Sequence, residues 1–485
     1  IGLAAGLLVT SFHIAIELTS WTVLGLPAGG AKWSTILGPT IGAGLAALFV
    51  RHVAKAARGS GISYTKSAIY VSDGYIPTSS VAGKFTACAA SIGSGVPLGP
   101  EDPALQMGAG IASLLGRAFR VTRDHMRLIA PVGAAAGIAA AFNTPITAVL
   151  FVIEEVLSGW NAGVLGSIVL SAVAASVVTR TFLGDQPLFR VPDFTLTDPS
   201  ELLVYAAIGL IGGVLGAFYT RSLLFMRERT LRVPRAVATA LPFAAGLAVG
   251  ATAWWLPGVL GAGYPVIDAA LHDEFAWPML LALGLSKAAL TVFCFGAGVP
   301  GGLFAPTLFV GAMIGGGLGG VATAYWPVPM SPPSAYVLVG MGTFFAAVFR
   351  TPMTSIFMVF EVSATYVIIL PVMVANMVAY LVSRALESRS LFEGMIAQDG
   401  TRLPSLEAAR ERRALTVEDV MLPLPDHVAD GLPEVHPDQP LDVALEALRT
   451  RPTLLVVTRG TPPRALGIVS RTGIAEWLGI LDSPL

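Results

Sequence analysis

The sequence predicts an all-α polytopic membrane protein built from two related halves, followed by a small α/β module. Three observations carry this. Of the 485 residues 54% are hydrophobic and only 13% charged, with a mean hydropathy of +0.71, where a soluble domain carries about a quarter charged residues. A motif occurs twice: Lys84 leads to Gly93-Ser94-Gly95-Val96-Pro97, and Lys287 leads at the same spacing to Gly296-Ala297-Gly298-Val299-Pro300. Finally, composition changes near Gln398, beyond which roughly a quarter of residues are charged.

Ile1–Leu26, Ser34–Val50, Ala162–Val178, Leu202–Tyr219 and Tyr366–Val382 are apolar runs long enough, or nearly so, to cross a bilayer at about 20 residues per span. Ala104–Leu115, Leu303–Met313 and Thr351–Val362 are shorter and bounded by Gly and Pro. We read them as broken helices, which a membrane tolerates only where the freed backbone is buried or lines a wet cavity. The chain begins at Ile1, and its natural N-terminus is expected upstream.

The repeat extends beyond the motif. Gly99, Glu101, Pro103, Gly108 and Ala109 align with Gly302, Phe304, Pro306, Gly311 and Ala312, and Phe142–Thr147 is echoed by Phe349–Thr354. Two membrane halves on one pattern mark a transporter-type fold. The halves run 1–185 and 200–398, joined by an acidic stretch. A basic loop at Arg117–Arg127 follows the first motif helix, whereas an acidic turn precedes the second, so the halves are expected to insert in opposite orientation. Basic clusters at Arg51/His52/Lys55/Arg58, Arg117/Arg120/Arg123/Arg127 and Arg221/Arg227/Arg229/Arg232/Arg235 are read as cytoplasmic or simply solvated loops.

Residues 399–414 read as a linker and 415–485 as a small module: an opening segment Leu415–Met421, an amphipathic helix Pro440–Leu448, strands Thr453–Thr458 and Ala465–Ser470, and a helix Thr472–Leu478. Cys88 and Cys294 are not repeat mates, the six His are scattered without metal-ligand spacing, and no phosphate-cradling GxxxxGK[ST] loop or nucleophile–base set stands out. An enzyme is therefore not expected, nor is a cofactor or a nucleic-acid partner.

Gly59-Ser60-Gly61-Ile62-Ser63, Gly99-Pro100-Glu101-Asp102-Pro103 and Gly302-Leu303-Phe304-Ala305-Pro306 each precede an apolar helix. Helix N-termini offer free backbone N–H groups and partial positive charge, which replace an anion's hydration shell. Small residues also serve helix packing, but packing alone does not account for three such segments, two in repeat register. The acids differ between halves: Glu154 aligns with Glu361 and reads as structural, whereas Glu101 aligns with Phe304 and Glu155 with Val362. Unpaired intramembrane acids are functional candidates.

The three glycine segments, with Phe142–Glu155, resemble the signatures of the CLC family of chloride channels and proton-coupled chloride transporters. The resemblance covers essentially the whole membrane part and implies a CLC-type inverted repeat of broken, tilted helices, a homodimer with one anion path per subunit, and a non-enzymatic transporter or channel. It implies chloride and protons as transported ions, and a prokaryotic plasma membrane as the location. By resemblance, Ser60 places its hydroxyl on the central anion, with a helix N-cap as the compatible plain reading. Gly61, Ile62, Leu303 and Phe304 contribute further to the anion site, the last two through their backbone N–H groups. Glu101 is the external gate, Glu155 the internal proton-transfer acid unless it is a structural salt-bridge partner, and Lys84 raises the local potential for anions. Its mate Lys287 reads equally well as a snorkelling residue. The C-terminal module resembles a single CBS module, either a plain packing domain or a regulatory one that binds a nucleotide.

Three departures from the pattern stand out. Pro100 and Asp102 make the second signature GPEDP, removing a basic residue and adding a carboxylate beside the gate. Ser63 stands where Pro is usual. The family's inner-gate Tyr falls on Phe392, which can block the path but cannot hydrogen-bond an anion. Coupled chloride/proton antiport is the leading expectation, a passive Glu-gated channel the second, and a non-transporting sensor signalling through the module the third.

Overall fold

The computed structural model describes residues 1–25, 32–157, 162–185, 188–189, 191–192, 198–325, 330–401, 415–425, 432–458 and 463–477. It divides into two compact units, Ile1–Thr401 and Arg402–Leu485. Most of the expected linker, from 402 to 414, lies outside the described residues.

The first unit is all helical. Its first half contains α1 (Gly2–Leu24), α2 (Lys32–His52), α3 (Gly61–Val71), α4 (Thr78–Gly93), α5 (Glu101–Ala118), α6 (Arg123–Phe142), α7 (Pro145–Phe151) and α8 (Ala162–Leu183). Its second half contains α9 (Glu201–Arg232), α10 (Arg235–Ala253), α11 (Tyr264–Leu271), α12 (Trp277–Gly296), α13 (Phe304–Tyr325), α14 (Pro333–Phe349), α15 (Pro352–Ser363), α16 (Ile369–Leu386) and α17 (Leu391–Gln398). Among the described residues, nine helical segments are long and apolar enough to cross a membrane.

The packing follows the repeat. α1 packs on α4, α6 and α8, and α9 packs on α12, α14 and α16. α5 lies along α6 as α13 lies along α14. Three reciprocal details complete the correspondence. Gly99 N–H donates to Gly302 O and Gly302 N–H to Gly99 O, both at 2.8 Å. The Glu154 carboxylate accepts from the Met353 and Thr354 amides at the start of α15, while the Glu361 carboxylate accepts from the Ile146 and Thr147 amides at the start of α7. Asn143 and Arg350 end α6 and α14 in the same left-handed conformation, with φ of 58° and 59°. Contacts exchanged in this way are the mark of a two-fold relation. The two halves are thus related as the inverted repeat that the sequence predicts.

Two expectations are corrected. Phe304–Met313 is the first part of a 22-residue helix rather than a short broken piece, with Leu303 just before it. Its glycines are seats for neighbours: a Cβ at Gly311 would come within 2.4 Å of Gly340 O, and one at Gly315 within 2.3 Å of Tyr336 O. Close backbone approach of this kind drives helix association where lipid removes the hydrophobic incentive. The span expected from Tyr366 starts at Ile369.

The second unit holds α18 (Val417–Val420), α19 (Leu441–Ala447), α20 (Arg471–Trp477) and a four-stranded sheet of β1 (Leu422–Pro423), β2 (Glu434–Val435), β3 (Thr453–Val457) and β4 (Ala465–Ser470), in the order β1-β4-β3-β2. β2 and β3 are parallel, with α19 as their crossover, and β4 is antiparallel to both neighbours. β1 and β2 are two residues each, too short to show a periodicity in sequence. Val420, Leu441, Leu454, Val456 and Val469 form the core.

Candidate functional site

Three helix N-termini meet deep in the first unit. α3 begins after Ser60, its N-cap, whose Oγ accepts from Ser63 N–H at 3.3 Å. α5 begins at Glu101 and α13 at Phe304. Ser60, Ile62, Glu101, Asp102, Leu303 and Phe304 are all buried. The Gly99–Gly302 bridge clamps the last two N-termini side by side. A Cβ at Gly61 would lie 2.4 Å from Asp102 O, and one at Gly99 2.9 Å from Ala305 Cβ and 3.0 Å from Ala305 N, so both glycines let the segments approach.

Glu101 turns its carboxylate onto the other half. Its Oε2 accepts from the Ala305 amide at 3.3 Å, and its Oε1 accepts from the Tyr264 hydroxyl at the start of α11. The amide engaged at the N-terminus of α13 is thus one residue beyond the expected Leu303 and Phe304. Tyr264 was not anticipated: it lies 163 positions from Glu101, and only its place after the turn Gly261-Ala262-Gly263 hinted at a role.

Asp102 turns the opposite way. Its Oδ1 accepts from Ile62 N–H at 2.7 Å and from the Ser60 hydroxyl at 3.2 Å. The Ser60 hydroxyl is therefore both an N-cap acceptor and a donor, as the sequence reading allowed, and the acceptor it serves is a carboxylate.

Lys84 Nζ donates to Ala57 O and Gly59 O, and its repeat mate Lys287 donates to Leu260 O and Gly261 O. Each ammonium gathers the carbonyls of the turn leading into a helix N-terminus. Lys287 is fully buried, which excludes snorkelling: its stem ends over the Phe309 ring, 4.4 Å from the centroid.

Glu155 sits in a π-turn, Val152–Val156, that continues α7, whereas α15 is regular over the matching stretch. π-turns recur at functional sites. Here the widened turn gives two adjacent acids different partners. Glu154 caps α15, and Glu155 pairs with Lys66 Nζ of α3 at 2.9 Å, both side chains buried. The salt-bridge alternative for Glu155 thus has a concrete form, with Lys66 of α3 as the partner. Lys66 went unnoticed because a single Lys in an apolar helix carries no spacing signal.

Phe392 is buried at the start of α17, which Ser390 and Glu393 close with a capping box. Its ring stacks on Phe349 with centroids 5.2 Å apart, and Phe349 meets Phe304 at 4.8 Å. An aromatic row thus runs from α17 to the N-terminus of α13. α17 also packs against α3, so Phe392 belongs to the wall around the three N-termini.

A cavity of about 510 Å³ is lined by Arg51, Lys55, Arg58, Arg227 and Arg235 and reaches Gly59. The first and third basic clusters therefore converge. Arg227 is anchored by Gln398 and Asp399. Focused positive potential in such a cavity concentrates anions.

Residues 42–384 match the voltage gated chloride channel family. The chain belongs to this family. A putative chloride channel protein ClcB-like from Ralstonia nicotianae is 33% identical over 424 residues, covering 83% of this chain and 97% of that protein. An H(+)/Cl(-) exchange transporter ClcA from Cronobacter sakazakii is 32% identical over 337 residues, covering 68% and 72%. Among solved structures, a slow cyanobacterial Cl-/H+ antiporter superposes with a TM-score of 0.74 at 24% identity, over 82% of this chain and 96% of that one. The CLC membership and the nine apolar segments make this a multi-pass membrane protein of transporter or channel type rather than an enzyme.

Proposed function

We propose that this CLC protein exchanges chloride for protons, with Glu101 as the gate. The observation that carries the reading is the Glu101 carboxylate seated against the Ala305 amide at the N-terminus of α13. A carboxylate there occupies the kind of donor site that would hold a transported anion, and the other half of the repeat has Phe304 in its place. Protonation removes the charge that holds it, so it leaves with a proton and an anion takes the donors. The relatives named as H(+)/Cl(-) exchangers support the reading. Ser60, Gly61, Ile62, Leu303 and Phe304 form the anion site in this proposal, Phe392 closes its far end, and Glu155 passes protons onward. The basic cavity feeds the path, with Lys84 adding to its potential. The protein works as a homodimer in a prokaryotic plasma membrane, and residues 415–485 form a cytoplasmic CBS-like module open to a nucleotide.

The test is flux in liposomes with simultaneous pH recording. Chloride movement should drive opposed proton movement, and Glu101→Gln should abolish the proton component while leaving anion flux. Proton transport that persists in the variant would remove Glu101 from the gate. A passive, Glu-gated anion channel is the second reading. It is favoured by the Lys66 partner, which holds the Glu155 carboxylate in a buried ion pair at 2.9 Å, and by Phe392, which has no hydroxyl. Chloride flux without opposed proton movement would select it.

A further inference from the structure

Asp102 stands where the family resemblance leads one to expect glycine, and it is fully buried. Among the described residues it has no ion pair, and Oδ2 has no hydrogen-bond partner. A buried carboxylate without an ion-paired cation is costly unless other donors replace its water. The donors it has found are Ile62 N–H, at 2.7 Å, and the Ser60 hydroxyl, at 3.2 Å. These are the groups that the proposed anion site needs at the N-terminus of α3. Gly61 lets the two helices approach, since a Cβ there would lie 3.0 Å from Asp102 Oδ1.

We propose that the Asp102 carboxylate is a tethered anion that competes with the transported one for the Ser60–Ile62 cradle. This rests on the anion-site reading above. Ionised, Asp102 keeps the α3 donors occupied, as Glu101 occupies those of α13. The two adjacent residues thus close two cradles in opposite directions. A proton taken up on the unpartnered Oδ2 converts the carboxylate to a neutral acid, which holds Ile62 N–H and Ser60 less strongly. Rotation of the side chain then frees both donors, and the arriving anion replaces the lost charge. Anion binding at this cradle is therefore linked to uptake of one proton by Asp102, separately from Glu101. Glu101 neighbours it on α5, and Lys84 and Cys88 are the titratable groups of α4 that interact with it. The approach of Gly302 brings no titratable group.

The test is chloride binding by calorimetry to the full-length protein in detergent, in neutral and in mildly acidic buffer. All variants carry Glu101→Gln, so that the first carboxylate is silent. The parent should bind chloride more tightly in acid. Adding Asp102→Gly should tighten binding in neutral buffer by about tenfold, matching the loss of a charge-assisted competitor, and should flatten the pH dependence. Asp102→Asn keeps the shape and the cap of α3, so it is the safeguard should the glycine variant not fold; it too should flatten the pH dependence. Binding that is indifferent to residue 102 in both affinity and pH dependence would overturn the competitor role while leaving the anion site standing. Absence of chloride binding in every variant would overturn both.

Discussion

At the scale of single residues, the site is a set of carboxylates each assigned to a helix N-terminus. Glu101 holds the start of α13, Asp102 the start of α3, Glu154 that of α15 and Glu361 that of α7. The last two are matched across the repeat and the first two are not. Tyr264 adds to the hold on Glu101, so Tyr264→Phe should loosen the proposed gate without removing it. Loss of one charge-assisted hydrogen bond, about 1.5 kcal/mol, should raise chloride flux in neutral liposomes by up to about tenfold, with proton movement still present. Unchanged flux would mean that the hydroxyl does not restrain the carboxylate. The glycine signatures pointed to Ser60 and Glu101, and the missing repeat mate at Val362 pointed to Glu155. Tyr264 and Lys66 were not legible in sequence, because each earns its place through a partner 163 or 89 positions away, and nothing in the local chain encodes that meeting.

At the scale of elements, repeat register separated the matched acids from the unmatched ones. Glu154 and Glu361 read as structural from their alignment, and each caps the other half's helix. Glu154→Ala should cost about 1–2 kcal/mol through the orphaned amides of α15, and Glu361→Ala a similar amount through α7. Both changes weaken the same α7–α15 seam, so their effects on thermal unfolding in detergent should not add. Helix lengths were less legible: the glycines of α13 looked like breaks and proved to be contact faces against α14, a distinction only the neighbour reveals. In the second unit, the Asp419 carboxyl closes the start of α18 by accepting from Thr416 N–H and the Thr416 hydroxyl, which holds it below the usual carboxylate range. A lowered folded-state value means that this contribution is complete above the ordinary carboxylate range and lost as pH falls through the lowered value. Hydrogen exchange over 416–420, corrected for intrinsic rates, should show protection that fades on acidification through that window. Asp419→Asn should remove that dependence.

At the scale of the whole molecule, every residue placed in the anion site lies within Ile1–Thr401. A chain ending at Thr401 should therefore retain chloride flux in liposomes within about twofold, a change worth less than about 0.5 kcal/mol in the barrier. Loss of flux in a truncated chain that still purifies as folded protein would give the second unit a direct part in transport. The fold class and the change in composition near the end were readable because hydropathy and repeats are properties of long stretches. The merging of two distant basic clusters into one cavity was not, since it depends on how α2 and α10 pack.

The two-residue bridge between Gly99 and Gly302 also bears on how the protein can move. It ties the halves together beside Glu101, the proposed gate. Rocking one half against the other about this point would rupture both hydrogen bonds in every turnover and leave buried backbone groups bare, at about 1–3 kcal/mol for each. Motion confined to side chains leaves the bridge intact. The bridge thus acts as a fixed axle, and the cycle is expected to run through swings of carboxylate and aromatic rotors around it.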